Sequence, residues 1–146
     1  MTLIKLDIDR LDNILYLVSD LEKRLRFIKK MKVVSLKVEK VCKTKKGYHI
    51  YLRSKDKLSD TEVILLQSAL GSDWMRELLN LRRVRNGQNM DSWNILFTSK
   101  TKKIVNGQSI TTEKVHDEED ITIQYIFTKK LSDWVGAILY RVGFYD

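Results

Sequence analysis

Residues 43–55 read KTKKGYHIYLRSK, and the alternation in the second half of this stretch predicts a strand with two different faces. Its alternate positions separate into Tyr48, Ile50 and Leu52 on one face, and His49, Tyr51 and Arg53 on the other. The apolar face is expected to pack against helices, while the other face stays open. Lysines and a glycine before the strand predict a turn. The open face therefore begins with one of the two histidines in the chain.

The segments on the N-terminal side of this strand predict more of the same sheet. Residues 3–8 and 33–42 carry apolar side chains at every second position, which predicts two further strands. Between them, residues 11–31 carry apolar side chains at three- and four-residue steps, which predicts an amphipathic helix. The chain thus begins strand, helix, strand, strand, an order that fits a ferredoxin-like or RRM-like N-terminal half.

Capping signals organise the segment that follows. Ser59 and Glu62 have the spacing of a capping box, and the helix that they begin is expected to end at Gly71. Asp73 is expected to cap a second helix, which ends at Gly87. The remaining predictions are a strand over residues 93–98, a hairpin at Asn106-Gly107, a loop at 116–120, a strand over 121–127 and a helix from Ser132.

These elements predict an α+β fold in which helices pack on one face of a mainly antiparallel sheet. With 146 residues, 43% of them hydrophobic, the chain is expected to form a single domain over residues 1–146. Cys42 is the one cysteine, which excludes an internal disulfide. No apolar run approaches the ~20 residues of a membrane span. Acidic residues near the N-terminus replace the apolar block of a signal peptide, so we expect a cytoplasmic protein.

The formal net charge of +8 favours a polyanionic partner. Nucleic acid is the leading candidate, with DNA favoured over RNA, and nucleotides are further candidate ligands. The alternative is a lysine-rich surface that keeps a thermophilic protein soluble. Charge alone does not separate these two interpretations.

Two aspartates on the first predicted strand form a candidate metal site. Asp7 and Asp9 lie two residues apart, so both point away from the face that Leu6 and Ile8 bury. Two carboxylates at this spacing suit oxygen ligation of Mg²⁺ or Mn²⁺. Asp9 has an alternative role as the N-cap of a helix that starts at Arg10. Asp7 has no such role, and a carboxylate within a strand is costly unless it is exposed or paired.

His49 is the candidate phosphate ligand. Its parity places it on the open face, which it shares with the aspartates if the two strands are neighbours. There it could bond a phosphate oxygen, while Lys45 and Lys46 in the preceding turn add positive charge. Gly47 would let the turn backbone approach a ligand closely. The alternative is a surface histidine that follows an ordinary turn.

The second helix carries a cluster of arginines that could lie along a nucleic-acid backbone. The cluster consists of Arg76, Arg82, Arg83 and Arg85. Each guanidinium can bind phosphate through two hydrogen bonds. Trp74, Leu78, Leu81 and Val84 are expected to form the buried stripe of this helix. Glu77 is either an ion-pair partner within the helix or a further metal ligand, and Tyr51 on the open sheet face could stack a base.

These residues resemble the motifs of the archaeo-eukaryotic primase superfamily. LIKLDID at 3–9 is similar to its hydrophobic-Asp-x-Asp strand, and KTKKGYHIYL at 43–52 is similar to its second motif, in which a turn precedes a histidine and an apolar strand. The resemblance covers residues 3–100 and leaves residues 101–146 as a C-terminal hairpin, strand and helix. It implies that Asp7 and Asp9 bind divalent metal and that His49 contacts the phosphates of a nucleotide. Asp73 is the best match to the third, acidic motif, which would make Asp7, Asp9 and Asp73 the catalytic carboxylates.

Three functions remain open from the sequence. The first is a primase-like nucleotidyltransferase, and the second is a nuclease that uses the same carboxylates and metal. The third is a non-catalytic nucleic-acid-binding protein on an RRM-like sheet, in which the aspartates are structural. The small size and lysine-rich composition would suit a protein of an archaeal virus or plasmid, which would work in the host cytoplasm.

Overall fold

The computed structural model describes residues 1–9, 13–96, 99–107, 109–116 and 118–141. The elements, in chain order, are β1 (Thr2–Ile8), α1 (Ile14–Lys30), β2 (Lys37–Lys43), β3 (Tyr48–Ser54), α2 (Asp60–Ala69), α3 (Trp74–Arg85), α4 (Met90–Trp93), β4 (Ser99–Asn106), β5 (Ser109–His116), β6 (Glu119–Asp120) and α5 (Thr122–Arg141).

The central strand of the main sheet is β3, the strand on which the sequence analysis began. Within the described residues, β1, β3, β2 and β6 form an antiparallel sheet in that order, and β4 and β5 form a separate hairpin. Ile50 of β3 pairs with Leu6 of β1 on one side and with Val41 of β2 on the other. The crossover through α1 thus leaves a gap between β1 and β2 that β3 fills, as in ferredoxin-like folds. The predicted α+β class and its ferredoxin-like N-terminal half are confirmed.

The core lies on one face of this sheet. Ile4, Leu6, Ile50 and Leu52 are fully buried, which confirms the predicted alternation in both strands. Helix α5 contributes Tyr125 to the core. Helix α1 contributes apolar side chains at helical spacing, namely Leu17, Val18 and Leu21. Burial of these side chains supplies most of the driving force for folding. The opposite face carries Asp7 and His49 and remains available for a site.

The end of α2 and the turn that follows it cover the outer edge of β1. The Gln67 side chain accepts the backbone N–H of Lys5, and the Ser72 hydroxyl accepts that of Asp7. The backbone N–H of Asp73 donates to the Asp7 carbonyl at 2.6 Å. An uncovered strand edge would be open to pairing with another chain. These bonds close the edge and fix the position of Asp7.

Helix α3 is rotated relative to the prediction. Trp74 and Leu78 were expected to be buried, but they are 66% and 56% exposed. The buried positions are instead Glu77 and Asn80. The other half of the predicted stripe, Leu81 and Val84, is partly buried against the core. Glu77 accepts hydrogen bonds from the two side chains that cover the β1 edge, so polar and apolar contacts together orient the helix. Glu77 is therefore the ion-pair partner of Arg76, at 2.6 Å, which resolves the alternative in favour of a structural role.

Two local predictions were wrong, and so was the alternative role of Asp9 as a helix cap. Residues 90–93 form the short helix α4, in which Asn89 accepts the N–H of Ser92, so the predicted strand over 93–98 is wrong for its described part; residues 97–98 lie outside the described residues. Asn13, not Asp9, caps α1. Residues 122–127 belong to α5, because Asp120 accepts the Thr122 N–H and starts the helix there. The hairpin at Asn106-Gly107 is confirmed.

The capping box at the start of α2 is confirmed and gives a test of local stability. The Ser59 hydroxyl accepts the N–H of Glu62, and the Glu62 carboxylate accepts the N–H of Ser59. Ser59→Ala removes half of this exchange and is expected to lower the free energy of unfolding by about 1 kcal/mol. Urea denaturation measures the change, with Thr61→Ala in the same helix as the control. Equal losses in the two variants would contradict a specific cap.

Candidate functional site

Asp7 and His49 face each other on the open face of the sheet. They are direct partners in the β1–β3 register. The backbone N–H and carbonyl of Asp7 bond to Ser72 and Asp73 instead of to β3, so the pair is of the non-hydrogen-bonded kind. Side chains approach most closely in such pairs. Nε2 of His49 lies 3.6 Å from Oδ1 of Asp7.

The surroundings of Asp7 raise the pKa of its carboxyl group. Burial raises the pKa of Asp7 above its usual value, and the charges of Asp73 and Asp9 raise it further, while His49 and Arg76 act in the opposite direction. A carboxylate in this environment would gain from a bound cation, since a cation offsets both burial and repulsion between carboxylates.

Glu118 completes the surroundings of His49 and was missed in the sequence. Its Oε2 lies 3.0 Å from Nδ1 of His49. The sequence analysis interpreted residues 116–120 as a loop, and no local pattern indicates that one of them crosses the sheet. The pairing of β6 with Cys42 and Lys43 of β2 carries Glu118 over the open face, and this long-range contact has no signal in the sequence.

Several groups hold Glu118 in place. The Tyr51 hydroxyl donates to it at 2.9 Å, and the Lys40 ammonium lies 3.5 Å from its other oxygen. Burial alone raises the pKa of Glu118, but hydrogen bonds from His49, Cys42 and Tyr51 outweigh this effect and hold that pKa below its usual value. Burial, together with the hydrogen bond to Glu118 and its negative charge, raises the pKa of the Cys42 thiol to about 12. Glu118 is therefore an ionised acceptor at neutral pH, and Cys42 stays a thiol.

A cleft of about 320 Å³ opens above the Asp7–His49 pair. It brings together most of the polar residues that the sequence singled out: Asp7, Asp9, His49, Asp73, Lys46, Arg76 and Arg83. Its volume lies at the lower end of the range for small-molecule sites. Lys45, Tyr51, Arg82 and Arg85 do not line it. Tyr51 instead faces Lys40, whose ammonium lies 5.5 Å from the ring centroid.

Arg76 is part of the cleft wall but is tied into the fold. Its guanidinium bonds to Glu77, to the Lys5 carbonyl and to the residues after α4, Asn94 and Ile95. Only 11% of its side chain is exposed. These bonds fix the wall of the cleft, and they correct the expectation that Arg76 is a freely available backbone contact for nucleic acid.

One wall of the cleft is apolar. Met75 and Leu79 of α3 form it together with Ile95 and Leu96. Most small-molecule sites combine such an apolar wall with a few convergent polar groups. A ligand that fits both would have a charged end for the carboxylates and cationic side chains, and an apolar end for the wall. A nucleotide has this composition.

The carboxylates of the cleft fit a divalent metal only when a ligand completes its coordination. Among the described residues, no three His, Cys, Asp or Glu side chains are arranged so that they could together hold a metal ion. Mg²⁺ is usually bound by one or two carboxylates together with waters and substrate phosphates. Asp7 and Asp9 can supply such a pair. The donor set is thus compatible with a metal that enters with a phosphate ligand, not with a metal caged by protein alone.

Comparisons with known proteins add no family to this geometry. No protein-family model, no curated protein and no solved structure matches the chain. In the described part of the chain, no helix is long and apolar enough to cross a membrane. Any function must therefore be argued from the cleft itself.

Proposed function

We propose that this protein is a metal-dependent nucleic-acid enzyme of the nucleotidyltransferase type, and that the cleft binds the phosphates of a nucleotide. The observation that carries the proposal is the direct pairing of Asp7 with His49, in a cleft that also holds Asp9 and Asp73. Carboxylates and a histidine that converge in a cleft, one of them a carboxyl with a raised pKa, are enriched at functional sites. The proposal agrees with the resemblance to the primase superfamily.

Each residue of the cleft has a role that its chemistry allows. Asp7 and Asp9 would hold a divalent cation, which would supply neutralisation of phosphate charge and alignment of the phosphorus for in-line attack. His49 would donate a hydrogen bond to a phosphate oxygen through Nε2, the ring nitrogen that faces Asp7, when that nitrogen carries a proton. Lys46 and Arg83 add positive charge at the rim of the cleft.

Asp73 has a double position, because it caps α3 and also lines the cleft. Its Oδ2 accepts the backbone N–H of Arg76, which holds the carboxylate in one orientation. Its charge raises the pKa of Asp7, so the two carboxylates interact. Asp73 therefore adds negative potential that favours a cation beside Asp7. This supports its assignment to the third, acidic motif of the resemblance.

The test is a calorimetric titration of the wild-type protein with Mn²⁺, with a nucleoside triphosphate, and with both together. We expect weak binding of Mn²⁺ alone and much tighter binding when the triphosphate is present. Each ligand must raise the affinity of the other by the same factor, because the coupling is reciprocal. Failure to bind the triphosphate with Mn²⁺ would overturn the proposal and leave the non-catalytic binding protein.

The reaction products then distinguish a nucleotidyltransferase from a nuclease. Incubation of a primed template with triphosphates and Mn²⁺ should extend the primer if the protein is a nucleotidyltransferase. Shortening of the strand, without incorporation, would instead identify the nuclease that uses the same carboxylates. DNA and RNA strands of equal sequence would show which of the two nucleic acids the cleft accepts.

The end of α3 is the proposed path of the nucleic-acid strand. Arg83 lines the cleft, and Arg82 and Arg85 are exposed beside it in the last turn. A strand whose end enters the cleft would pass these guanidinium groups, with the turn at residues 43–46 as the other cationic border. Replacing Arg82, Arg83 and Arg85 together with glutamine should reduce the salt dependence of binding by up to about three units.

The measurement for this triple variant is the slope of log K against log salt by fluorescence anisotropy. The matched control replaces Lys23, Lys29 and Lys30 of α1 with glutamine, since α1 packs on the other face of the sheet. An unchanged slope in the arginine variant, or an equal decrease in the control, would place the interface elsewhere.

A further inference from the structure

Glu118 reaches the site from a part of the chain outside the primase-like segment. It precedes β6, the two-residue strand that pairs with β2. This pairing places its carboxylate 3.0 Å from Nδ1 of His49. The two side chains are 12% and 8% exposed, so water competes little for this contact. The C-terminal third of the chain thus contributes directly to the open face of the sheet.

The contact determines which ring nitrogen of His49 carries the proton. An ionised carboxylate can only accept a hydrogen bond. Glu118 is held in that form by the donors around it, so Nδ1 of His49 must be the donor. In the neutral imidazole the lone pair then lies on Nε2, and Nε2 donates to a phosphate oxygen only in the imidazolium form, in which both ring nitrogens carry a proton. That nitrogen lies 3.6 Å from Asp7, on the cleft side of the ring.

We infer that Glu118 is the positioning residue of His49: it accepts the Nδ1 proton, fixes the ring in one tautomer and one orientation, and presents Nε2 to the cleft. Tyr51 and Lys40 anchor Glu118 itself, at 2.9 and 3.5 Å. Metal-binding and catalytic histidines depend on such a partner at the remote nitrogen, because the partner sets the role of the exposed one. The effect on phosphate binding rests on the proposed function, whereas the tautomer does not.

The tautomer is measured by nitrogen-15 NMR of the neutral imidazole. The chain has two histidines, so His116→Gln leaves a single ring signal, that of His49. We expect the wild-type signal to report Nδ1–H. In Glu118→Ala the acceptor at Nδ1 is lost and Asp7 becomes the nearest carboxylate, so the signal should change to Nε2–H. Glu119→Ala, which removes the adjacent exposed acid, should leave the signal unchanged.

Two results overturn the inference. A wild-type His49 in the Nε2–H form would do so by itself, and this measurement needs no folded variant. A tautomer that is the same in Glu118→Ala as in the wild type would do so as well.

Triphosphate affinity in the presence of Mn²⁺ gives a second, independent readout. His49→Ala and Glu118→Ala are each expected to weaken binding by roughly 10- to 100-fold. The double variant should bind no more weakly than His49→Ala alone, because Glu118 acts through His49. Fully additive losses would overturn the positioning role. If the wild type binds no triphosphate while the tautomer still changes in Glu118→Ala, the proposed function fails and the role of Glu118 stands.

Discussion

Glu77→Ala is expected to lower the free energy of unfolding by about 3–5 kcal/mol, the largest loss of stability predicted for this chain. The Glu77 side chain is 3% exposed and accepts four hydrogen bonds. Its donors are Gln67 and Asn80 on one oxygen, and Ser72 and Arg76 on the other, at 2.6–2.9 Å. Alanine leaves all four donors without this acceptor and leaves the Arg76 charge unpaired in a buried position. A buried donor that loses its acceptor costs its full desolvation penalty.

The measurement is urea denaturation of Glu77→Ala and of Glu119→Ala. The control removes the same charge from an exposed position and should change the free energy of unfolding by less than about 0.5 kcal/mol. A loss below about 1 kcal/mol in Glu77→Ala would mean that water replaces the carboxylate, and that this network does not hold α3 against β1.

The same network explains why the orientation of α3 could not be predicted. Apolar spacing placed Trp74 and Leu78 on the buried side, and this is the usual guide to a helix face. The backbone N–H groups at the edge of β1 also need hydrogen-bond acceptors, and Gln67 and Ser72 supply them. A buried carboxylate satisfies both of these side chains at once. Such a demand depends on strand order, which a local pattern does not contain.

The polar residues of the cleft were more accessible to prediction than the contacts among them. Strand parity placed Asp7 and His49 on the open face, and the order of the strands made them neighbours. The sequence also predicted that Asp73 caps α3, and the structure confirms this position. Glu118 was not predicted, because 69 residues separate it from His49 and only the short strand β6 joins their segments.

The start of α5 was mistaken for a strand for a related reason. The residues ITIQYIF alternate in polarity over a short span, and this pattern is typical of a strand. The contacts of Tyr125 favour the helix, because its hydroxyl donates to Glu22 of α1 at 2.6 Å and its ring is buried beside that helix. Tertiary contact thus overrides a weak local preference.

Asp7→Asn is expected to abolish metal-dependent binding of the triphosphate, with a loss of at least about 100-fold. Partners that only orient a metal ligand are already worth 10- to 100-fold in metal affinity, and Asp7 is a proposed ligand itself. Asparagine keeps the shape and the backbone bonds to Ser72 and Asp73 but removes the negative charge. His49→Ala should instead leave Mn²⁺ binding nearly unchanged and weaken the triphosphate alone. Calorimetry of both variants with each ligand separates the two failures, and equal effects on Mn²⁺ would contradict the division of roles.

The stability of Asp7→Asn should move in the opposite direction to its binding. Burial raises the pKa of Asp7, so the folded state holds the proton more tightly than the unfolded chain does. A group of this kind contributes most below its unfolded pKa, and that contribution is lost as the pH rises through the folded pKa. At neutral pH the carboxylate therefore costs stability, and asparagine should raise the melting temperature; at acid pH, where Asp7 is protonated, the difference should vanish. A variant that is more stable and binds no metal would show that this charge is retained for a ligand, while a lower melting temperature at neutral pH would make Asp7 a structural residue.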